Sequence, residues 1–392
     1  GKSAKAFRCS FHGWSWKLDG SLNEVPCQWD FPTVTEEDYS LPEVQVARWG
    51  GFVYINPDPD AEPFEDYIGS LPDHFQLLPF ERRHKGAHVA KVLRCNWKLA
   101  QEAFMEAYHV IATHPTILNS IGDANTKYDM FGNFSRAMSP QEVESPHIRP
   151  YTAEEDSRLF TKLKHPLSGF IYERIEENRV AVTNHQGDVS HFRADGSWID
   201  GPTTHCDPNM CNWIGGHQLP DSDDVPLPAA REPGEGESRR SVAAEGIREE
   251  LRGTLGDLMD QVADADLVDV HYYTVFPNWH PWGCFNPIFY RFRPNGDNPE
   301  ECIHECWYMM PTPEGEERPD PAPVHWLDAD DDYCDAPELG VLAKVFNQDV
   351  HNLPQVHKGL KGMKNKEVIF ANYGESKIRH WHKLYSQWME LD

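Results

Sequence analysis

The segment QEAFMEAYHVIATHP, residues 101–115, restricts the folds open to this chain more than any other stretch. It brings together three side chains that bind metals or protons, Glu106, His109 and His114. His114 follows His109 by five positions, which is about 140° further round a regular helix. Both imidazoles therefore reach one point only if the helix loosens or ends between them, and Pro115 favours such an end.

The residues just before the two histidines predict a helix. Asn96 is a suitable N-cap, and the apolar residues after it recur at helical spacing. Glu102, Glu106 and His109 are separated by four and three positions, so a regular helix would carry them on one face. The sequence therefore predicts a helix that presents two carboxylates and an imidazole together.

Two neutral imidazoles and a carboxylate from elsewhere in the chain, on one face of an open site, are the ligands of non-haem Fe(II) oxygenases. The same histidine spacing also occurs where both side chains are structural or exposed. The pair alone leaves both interpretations open, so a second and independent signal is needed.

Composition excludes several classes of function. Lys and Arg number 36 against 63 Asp and Glu, and the formal net charge of −27 would repel phosphate backbones, so we expect no nucleic-acid partner. The nine cysteines lack a disulfide-like spacing, which is typical of reduced thiols in the cytoplasm. No run of about 18 apolar residues occurs, and the first residues lack the apolar core of a signal peptide. We therefore expect a cytoplasmic protein with no membrane span.

The chain divides into a short β-rich part and a longer mixed part. Residues 1–60 contain short β-like runs broken by turns, which predict a small β domain. From residue 61 the segments are helix-compatible, and a Pro-, Gly- and charge-rich stretch, residues 219–241, predicts an exposed loop. Later segments predict a helix (241–265), three antiparallel strands (269–279, 286–294 and 302–311) and an amphipathic helix (339–360).

The second signal is FRCSFHGWSWKLDGSL, residues 7–22, in which a Cys-x2-His pair is followed by Gly-Trp. This string resembles the second cluster-binding loop of Rieske iron–sulfur proteins. Residues 96–115 resemble the iron-binding helix of Rieske non-haem iron ring-hydroxylating oxygenases, and the two motifs occur in that family's order. The resemblance implies an α+β fold, with an incomplete Rieske-type β domain at residues 1–60 and a helix-grip, START-like catalytic domain with a curved antiparallel sheet at residues 61–392.

The resemblance also implies the ligands of two metal centres. Cys9 and His12 would bind a 2Fe–2S cluster, while His109 and His114 would bind a mononuclear Fe(II). The family's third iron ligand is an acidic residue on a late helix, and FNQDVHNLPQVHKGL supplies Asp349 in that context.

Asp349 has competitors nearby in the sequence. An acidic run is typical of a solvated loop, and an imidazole on an amphipathic helix is typical of the protein surface. On these grounds Asp349 is preferred over Asp330, Asp331, Asp332, His351 and His357.

In the family, an acidic residue links a cluster histidine of one subunit to an iron histidine of its neighbour in a head-to-tail trimer. Glu106 occupies that position, although aspartate is more usual there. The resemblance implies that electrons pass from His12 through Glu106 to His109. The alternative is an ordinary glutamate on a helix surface.

The largest departure from the family is a missing pair of cluster ligands. A Rieske centre takes two cysteines and two histidines, supplied as C-x-H and C-x2-H. Near the start only the C-x2-H of Cys9 and His12 is present. The C-x-H of this chain, at Cys302 and His304, lies far downstream in a predicted strand and is interpreted as structural. We therefore expect an N-terminally truncated chain that could not hold a four-ligand cluster alone.

The function implied is that of a terminal oxygenase component. It would use O2 and electrons from NAD(P)H, delivered by a ferredoxin or a flavin reductase, to dihydroxylate, monohydroxylate or demethylate an aromatic or other apolar substrate. The family resemblance implies a homotrimer, with or without a β subunit. Apolar residues suggested for the pocket are Phe104, Ile111, Ile117, Phe276 and Phe285. The alternatives are an iron-free START-like protein that binds hydrophobic ligands, and a zinc hydrolase.

Overall fold

The structure is a computed structural model that describes residues 4–148, 160–220 and 233–391. The chain divides into two compact units, Gly1–Tyr67 and Ile68–Asp392, whereas the sequence predicted a boundary after residue 60. Most of the predicted loop 219–241 lies outside the described residues. None of the described helices has the length and apolar character needed to cross a membrane.

The first unit contains two small antiparallel sheets. Strands β1 to β3 form one sheet, and β4 and β5 form a hairpin. Gly13, with φ of +80°, allows the tight turn that joins β1 to β2. The elements are β1 (Phe7–Arg8), β2 (Ser15–Trp16), β3 (Leu22–Glu24), α1 (Glu36–Tyr39), β4 (Gln45–Trp49) and β5 (Phe52–Asn56).

The second unit contains two sheets. The larger has eight strands in the order β18-β6-β17-β16-β15-β14-β8-β7, antiparallel except where β18 runs beside β6, and the smaller is the meander β9 to β13. Their bounds are β6 (Arg83–Leu93), β7 (Lys127–Phe131), β8 (Phe134–Ser139), β9 (Lys162–Lys164), β10 (Ile171–Glu176), β11 (Arg179–Thr183), β12 (Val189–Phe192), β13 (Trp198–Asp200), β14 (Val270–Val275), β15 (Trp279–Pro281), β16 (Ile288–Asn295), β17 (Asn298–Pro311) and β18 (His325–Leu327).

The helices complete an α+β architecture, as predicted. One face of the large sheet packs against α3 and α8, while α5 covers the small sheet. The bounds are α2 (Phe64–Ile68), α3 (Trp97–Ala103), α4 (Val110–Thr113), α5 (Pro208–Gly215), α6 (Arg239–Leu255), α7 (Asp264–Val268), α8 (Leu342–Gly362) and α9 (Ser376–Trp388).

The prediction of helix-compatible segments from residue 61 is wrong for β6 and for the small sheet. The sequence of β6 does not show the alternation of apolar and polar residues that is typical of a strand, because three of its buried residues are the polar Arg83, His88 and Lys91. The guanidinium of Arg83 donates to the carbonyls of Leu78 and Cys284, so burial leaves this charge hydrogen-bonded. A pattern of apolar residues cannot reveal a strand whose inward side chains include cations.

Candidate metal centre

His109 and His114 lie at the two ends of α4, a single helical turn. His114 leaves the helical conformation, with φ of −121° and ψ of 55°, and Pro115 follows it. The two ring centroids are 5.1 Å apart with planes 72° from parallel. The end of the helix at His114 brings together imidazoles that a longer regular helix would hold apart.

The prediction that Glu102, Glu106 and His109 share one helix face is wrong, because α3 ends at Ala103. Asn96 does cap α3, since its side chain accepts the N–H of Lys98. From Ala107 to His109 the backbone N–H groups find side-chain acceptors instead of helical carbonyls. The N–H of Ala107 donates to the hydroxyl of Tyr128 at 3.1 Å, and those of Tyr108 and His109 donate to Glu106.

Asp349 on α8 faces the two histidines. Its Oδ1 is 3.1 Å from Nε2 of His114 and 3.7 Å from Nε2 of His109. The three ligand atoms all lie within 4.8 Å of one another, and the carboxylate is buried. Two imidazole nitrogens and one carboxylate oxygen are the donor set that suits Fe(II) with open coordination positions, so these residues fit the implied metal.

Two polar residues that the sequence analysis missed hold this arrangement in place. Gln348 Oε1 is 2.9 Å from Nδ1 of His114, which leaves Nε2 of that ring facing Asp349. The amide of Gln348 also donates to the carbonyl of Asn209 on α5, and the Asn209 side chain donates to the carbonyl of Ala112 in α4. These contacts join three helices that are distant in sequence, so no local spacing pattern indicates them.

Glu106 orients the other histidine. Its Oε1 is 2.6 Å from Nδ1 of His109, and its side chain is 7% exposed. Burial lowers the pKa of His109, but the charge and hydrogen bond of Glu106, together with the charge of Asp349, raise it to about 9. With a pKa of about 9, the imidazole of the metal-free protein would be a cation near pH 7, with a hydrogen on each ring nitrogen. A metal ion bound at Nε2 would displace the hydrogen on that nitrogen.

The competitors of Asp349 have other contacts. Asp330 pairs with Arg94 on an exposed loop, and Asp332 caps a short 3-10 helix by accepting the N–H of Cys334. His357 was expected on a helix surface, but it is buried and its Nδ1 accepts the N–H of Asn96. Among the described residues, His109, His114 and Asp349 form the one group of three or more such side chains placed to hold a metal ion.

Cys9 and His12 lie in the turn between β1 and β2 of the first unit. Both are exposed. The N–H of Phe11 lies 3.5 Å from Sγ of Cys9, and hydrogen bonds from the N–H groups of Phe11 and His12 lower the pKa of this thiol. These backbone donors favour the thiolate form that binds metals.

The apolar residues suggested for the pocket do not lie together. Phe104 packs in the core beside α8, and Ile111 and Ile117 pack in a cluster around α4. Phe276 contacts Trp381 of α9, and Phe285 packs against α6 and α7. Of these five residues, Phe104 packs in the cluster that contains residues of α8. The aromatic or apolar type of a residue does not determine which cluster of the folded chain it joins.

Residues 80–172 and 202–391 match the family described as ring hydroxylating alpha subunit, catalytic domain. The match covers more than half of the chain, so the protein belongs to this family, and the predicted family is confirmed. The matched residues include every member of the candidate metal centre. Membership of this family supports neither the START-like binding protein nor the zinc hydrolase.

Individual relatives cover less of the chain. Chlorobenzene dioxygenase subunit alpha of Cupriavidus sp. (strain PS12) is 34% identical over 118 residues, 28% of this chain and 26% of the relative. The carnitine monooxygenase oxygenase subunit of Escherichia coli (strain K12) is 28% identical over 137 residues, 34% of this chain and 37% of the relative. The matches thus span 26% and 37% of the lengths of these two curated relatives.

The fold has a counterpart among solved structures. A quaternary ammonium Rieske monooxygenase superposes with a TM-score of 0.50 at 14% identity, covering 99% of this chain and 73% of that one. At this identity the likeness shows the fold alone. It confirms the predicted α+β class with a large curved antiparallel sheet.

Proposed function

We propose that the protein is the terminal oxygenase component of a Rieske-type system that oxidises an aromatic or other apolar substrate with O2. The observation that carries this proposal is the convergence of His109, His114 and Asp349, with their ligand atoms within 4.8 Å, in a member of the ring-hydroxylating family. We assign these three residues as the ligands of a mononuclear Fe(II), which supplies the binding and activation of O2.

The remaining polar residues of the site orient the ligands. Glu106 accepts the Nδ1 hydrogen of His109, and Gln348 fixes the ring of His114, so both Nε2 atoms face the same point as Asp349. Met105, Ala107 and Val110 of this segment are buried and anchor it in the core. The protein therefore presents three preorganised donors, which lowers the reorganisation needed to bind the metal.

Electrons would come from outside this chain. We propose Cys9 and His12 as ligands of a Rieske 2Fe–2S cluster, and a ferredoxin or flavin reductase drawing on NAD(P)H as the donor. Glu106 is proposed to connect His109 to the cluster histidine of a neighbouring subunit in a homotrimer. Its support is the hydrogen bond to Nδ1 of His109, the ring nitrogen that points away from the three-ligand group.

Isotopic labelling tests the proposal. The full-length enzyme, supplied with a reductase, NAD(P)H and a panel of aromatic acids, methoxyarenes and arenes, should release products that contain oxygen from ¹⁸O2. His114→Ala should abolish incorporation, because it removes a ligand. Products labelled from water instead of O2, or equal labelling with His114→Ala, would contradict the assignment.

A further inference from the structure

Two cysteines lie on either side of the first turn of α5. Cys206 comes directly before the N-cap residue Asp207, and Cys211 is the fourth residue of the helix. Side chains at these two positions often pack against each other at the start of a helix. Here both side chains are thiols, and their sulfur atoms are 3.4 Å apart. The start of α5 therefore holds two oxidisable groups in contact.

The two sulfur atoms need only a small movement to form a bond. A disulfide joins its sulfur atoms at about 2.05 Å, so their separation has to shorten by roughly 1.3 Å. Cys206 is partly exposed and Cys211 is buried, so an oxidant in solution reaches Cys206 first. The hydrogen bond with Cys206 and burial raise the pKa of Cys211, which therefore stays a thiol near neutral pH. Cys206 is thus the residue that reacts with an oxidant, and Cys211 is its partner.

A second pair of thiols serves as a comparison. Cys95 and Cys302 also share a hydrogen bond, but both residues are 0% exposed. Contact between thiols is therefore present at both places, whereas access to an oxidant distinguishes the pair at α5.

The first turn of α5 also supports the candidate metal centre. Asn209 lies between the two cysteines, and its side chain donates to the carbonyl of Ala112 in α4 at 2.9 Å. The carbonyl of Asn209 accepts the amide of Gln348 at 3.2 Å, and Gln348 holds the ring of His114. Two hydrogen bonds therefore connect the first turn of α5 to a proposed iron ligand.

Closure of the sulfur pair changes the position of Asn209. The carboxylate of Asp207 accepts the N–H of Asn209 at 2.8 Å and that of Met210 at 3.1 Å. Because Asp207 follows Cys206 directly, a shift of Cys206 by about 1 Å moves this cap and the backbone of Asn209 with it. Hydrogen bonds weaken when the distance between donor and acceptor increases by such an amount.

We propose that Cys206 and Cys211 form a reversible disulfide when the protein meets a peroxide, and that this bond displaces Asn209 and weakens iron binding. The sulfur of Cys206 attacks one oxygen of hydrogen peroxide, the O–O bond breaks, and a sulfenic acid and one water form. The sulfur of Cys211 then attacks that of Cys206, the S–O bond breaks, and the hydroxide leaves as a second water with the hydrogen of Cys211. Two thiols are oxidised, and one peroxide is reduced to two waters.

Mass analysis tests the disulfide. Residues 194–231 form one tryptic peptide that contains both cysteines. The purified 392-residue chain is treated with hydrogen peroxide in the absence of iron, so that peroxide reacts with thiols alone. Without reductant the peptide should then be lighter by about 2 Da, and dithiothreitol should restore its mass. Cys95 and Cys302 should remain thiols, because the oxidant does not reach them.

Variants identify the pair. Cys206→Ser and Cys211→Ala each remove one sulfur atom and should abolish the loss of about 2 Da. Cys27→Ser removes an exposed thiol of the first unit and should keep it. Two variants of the pair are used because Cys206 is partly exposed, so its replacement disturbs the core less than replacement of the buried Cys211.

Iron titration tests the connection to the metal centre, and this part rests on the proposed function because it takes His114 as an iron ligand. After removal of peroxide, Fe(II) is titrated without O2 into the oxidised and the reduced chain. The oxidised wild type should bind Fe(II) at least about threefold more weakly, and dithiothreitol should restore its affinity. Cys206→Ser should bind Fe(II) equally before and after peroxide treatment, although the exposed Cys9 and Cys27 remain open to the oxidant.

Several results would overturn the proposal. An unchanged mass of the 194–231 peptide in treated wild type, or a gain of oxygen in place of the loss, would exclude the disulfide. A disulfide with unchanged or tighter iron binding, or an equal weakening in Cys206→Ser, would exclude the connection to the metal centre. Failure of the oxygenase function gives a different result, because both effects of peroxide would remain while no product took up oxygen from O2.

Discussion

Asp349 is the ligand on which the proposed iron site depends most, because its carboxylate lies beside Nε2 of both histidines and is the only anionic donor of the three proposed ligands. Asp349→Ala should weaken iron binding by on the order of 100-fold or more, since a neutral methyl replaces an anionic donor. Metal analysis of the purified protein measures this loss. Asp330→Ala removes an exposed carboxylate of the competing acidic run and should retain iron. Full iron occupancy in Asp349→Ala would show that another residue is the ligand.

Glu106 raises the pKa of His109, and the number of protons released when a metal ion binds should show this effect. The pKa of His109 is raised from its ordinary value to about 9, so wild type should release about one proton when Fe(II) binds at about pH 7.5, and its affinity should rise with pH up to about 9. In Glu106→Gln the amide still accepts from Nδ1, but the charge is lost and the pKa of His109 falls. Proton release near pH 7.5 should then be small.

Calorimetry in two buffers of different ionisation enthalpy counts those protons. Glu106→Asp retains the negative charge and serves as the control, with most of the proton release preserved. Equal proton release in wild type and Glu106→Gln would contradict the role assigned to this carboxylate.

Residue types predicted part of this site and missed the rest. His109, His114 and Asp349 were identified because imidazoles and carboxylates bind metals and because two motifs resemble one family. Gln348 and Asn209 were not predicted to hold the ligands, because amide side chains are common in proteins and the contacts of these two residues join helices far apart in sequence. Hydrogen bonds between distant segments leave no local pattern.

The hydroxyl of Tyr128 stabilises the break between α3 and α4 by accepting the N–H of Ala107. Tyr128→Phe would leave the buried N–H of Ala107 without its acceptor, so the free energy of unfolding should fall by about 1–3 kcal/mol. Urea denaturation followed by circular dichroism measures the change. Tyr373→Phe removes the same group from the neighbouring, exposed ring and should change stability by less than about 0.5 kcal/mol. Equal stabilities for the two variants would contradict this account.

Helix α8 holds the second histidine through Gln348. Gln348→Leu should weaken metal affinity by about 10–100-fold, because Nδ1 of His114 loses its partner while all three ligands remain. Gln355→Leu makes the same change on an exposed position of the same helix and should have no effect. Metal titration followed by fluorescence compares them. An unchanged affinity in Gln348→Leu would show that the ring is held by other contacts.

Patterns of apolar residues predicted the elements unequally. Strand β17 and helix α8 form close to where the sequence predicted them, although the buried residues of α8 include Lys344, Asn347, Gln348, Asp349 and His357. The helix predicted over 241–265 instead ends at Leu255, where Gly256 adopts φ of +57°. Strand β6 was missed because its buried residues include cations, and the carbonyls that accept hydrogen bonds from Lys91 are near it only in the folded chain.

In the whole molecule, the ligands proposed for the two metal centres lie in different units of the chain. The family match lies within the larger unit, at residues 80–172 and 202–391, and the three ligands proposed for the mononuclear iron all belong to it. The first unit contributes Cys9 and His12. Family resemblance predicted the chemistry of both units, while the division of the chain after Tyr67 depends on contacts that the sequence does not show.

The last prediction concerns the metal content of this 392-residue chain. Each iron of a Rieske cluster takes two protein ligands, and the proposed ligands Cys9 and His12 would supply one to each. The other Cys-x-His pair is no substitute, because Cys302 and His304 are buried in β17. The chain should therefore bind about one iron, at the mononuclear site, and contain no acid-labile sulfide or rhombic Rieske EPR signal after reduction. Cys9→Ser should leave both measurements unchanged, and stoichiometric sulfide in the wild-type chain would show that the cluster finds its remaining ligands elsewhere.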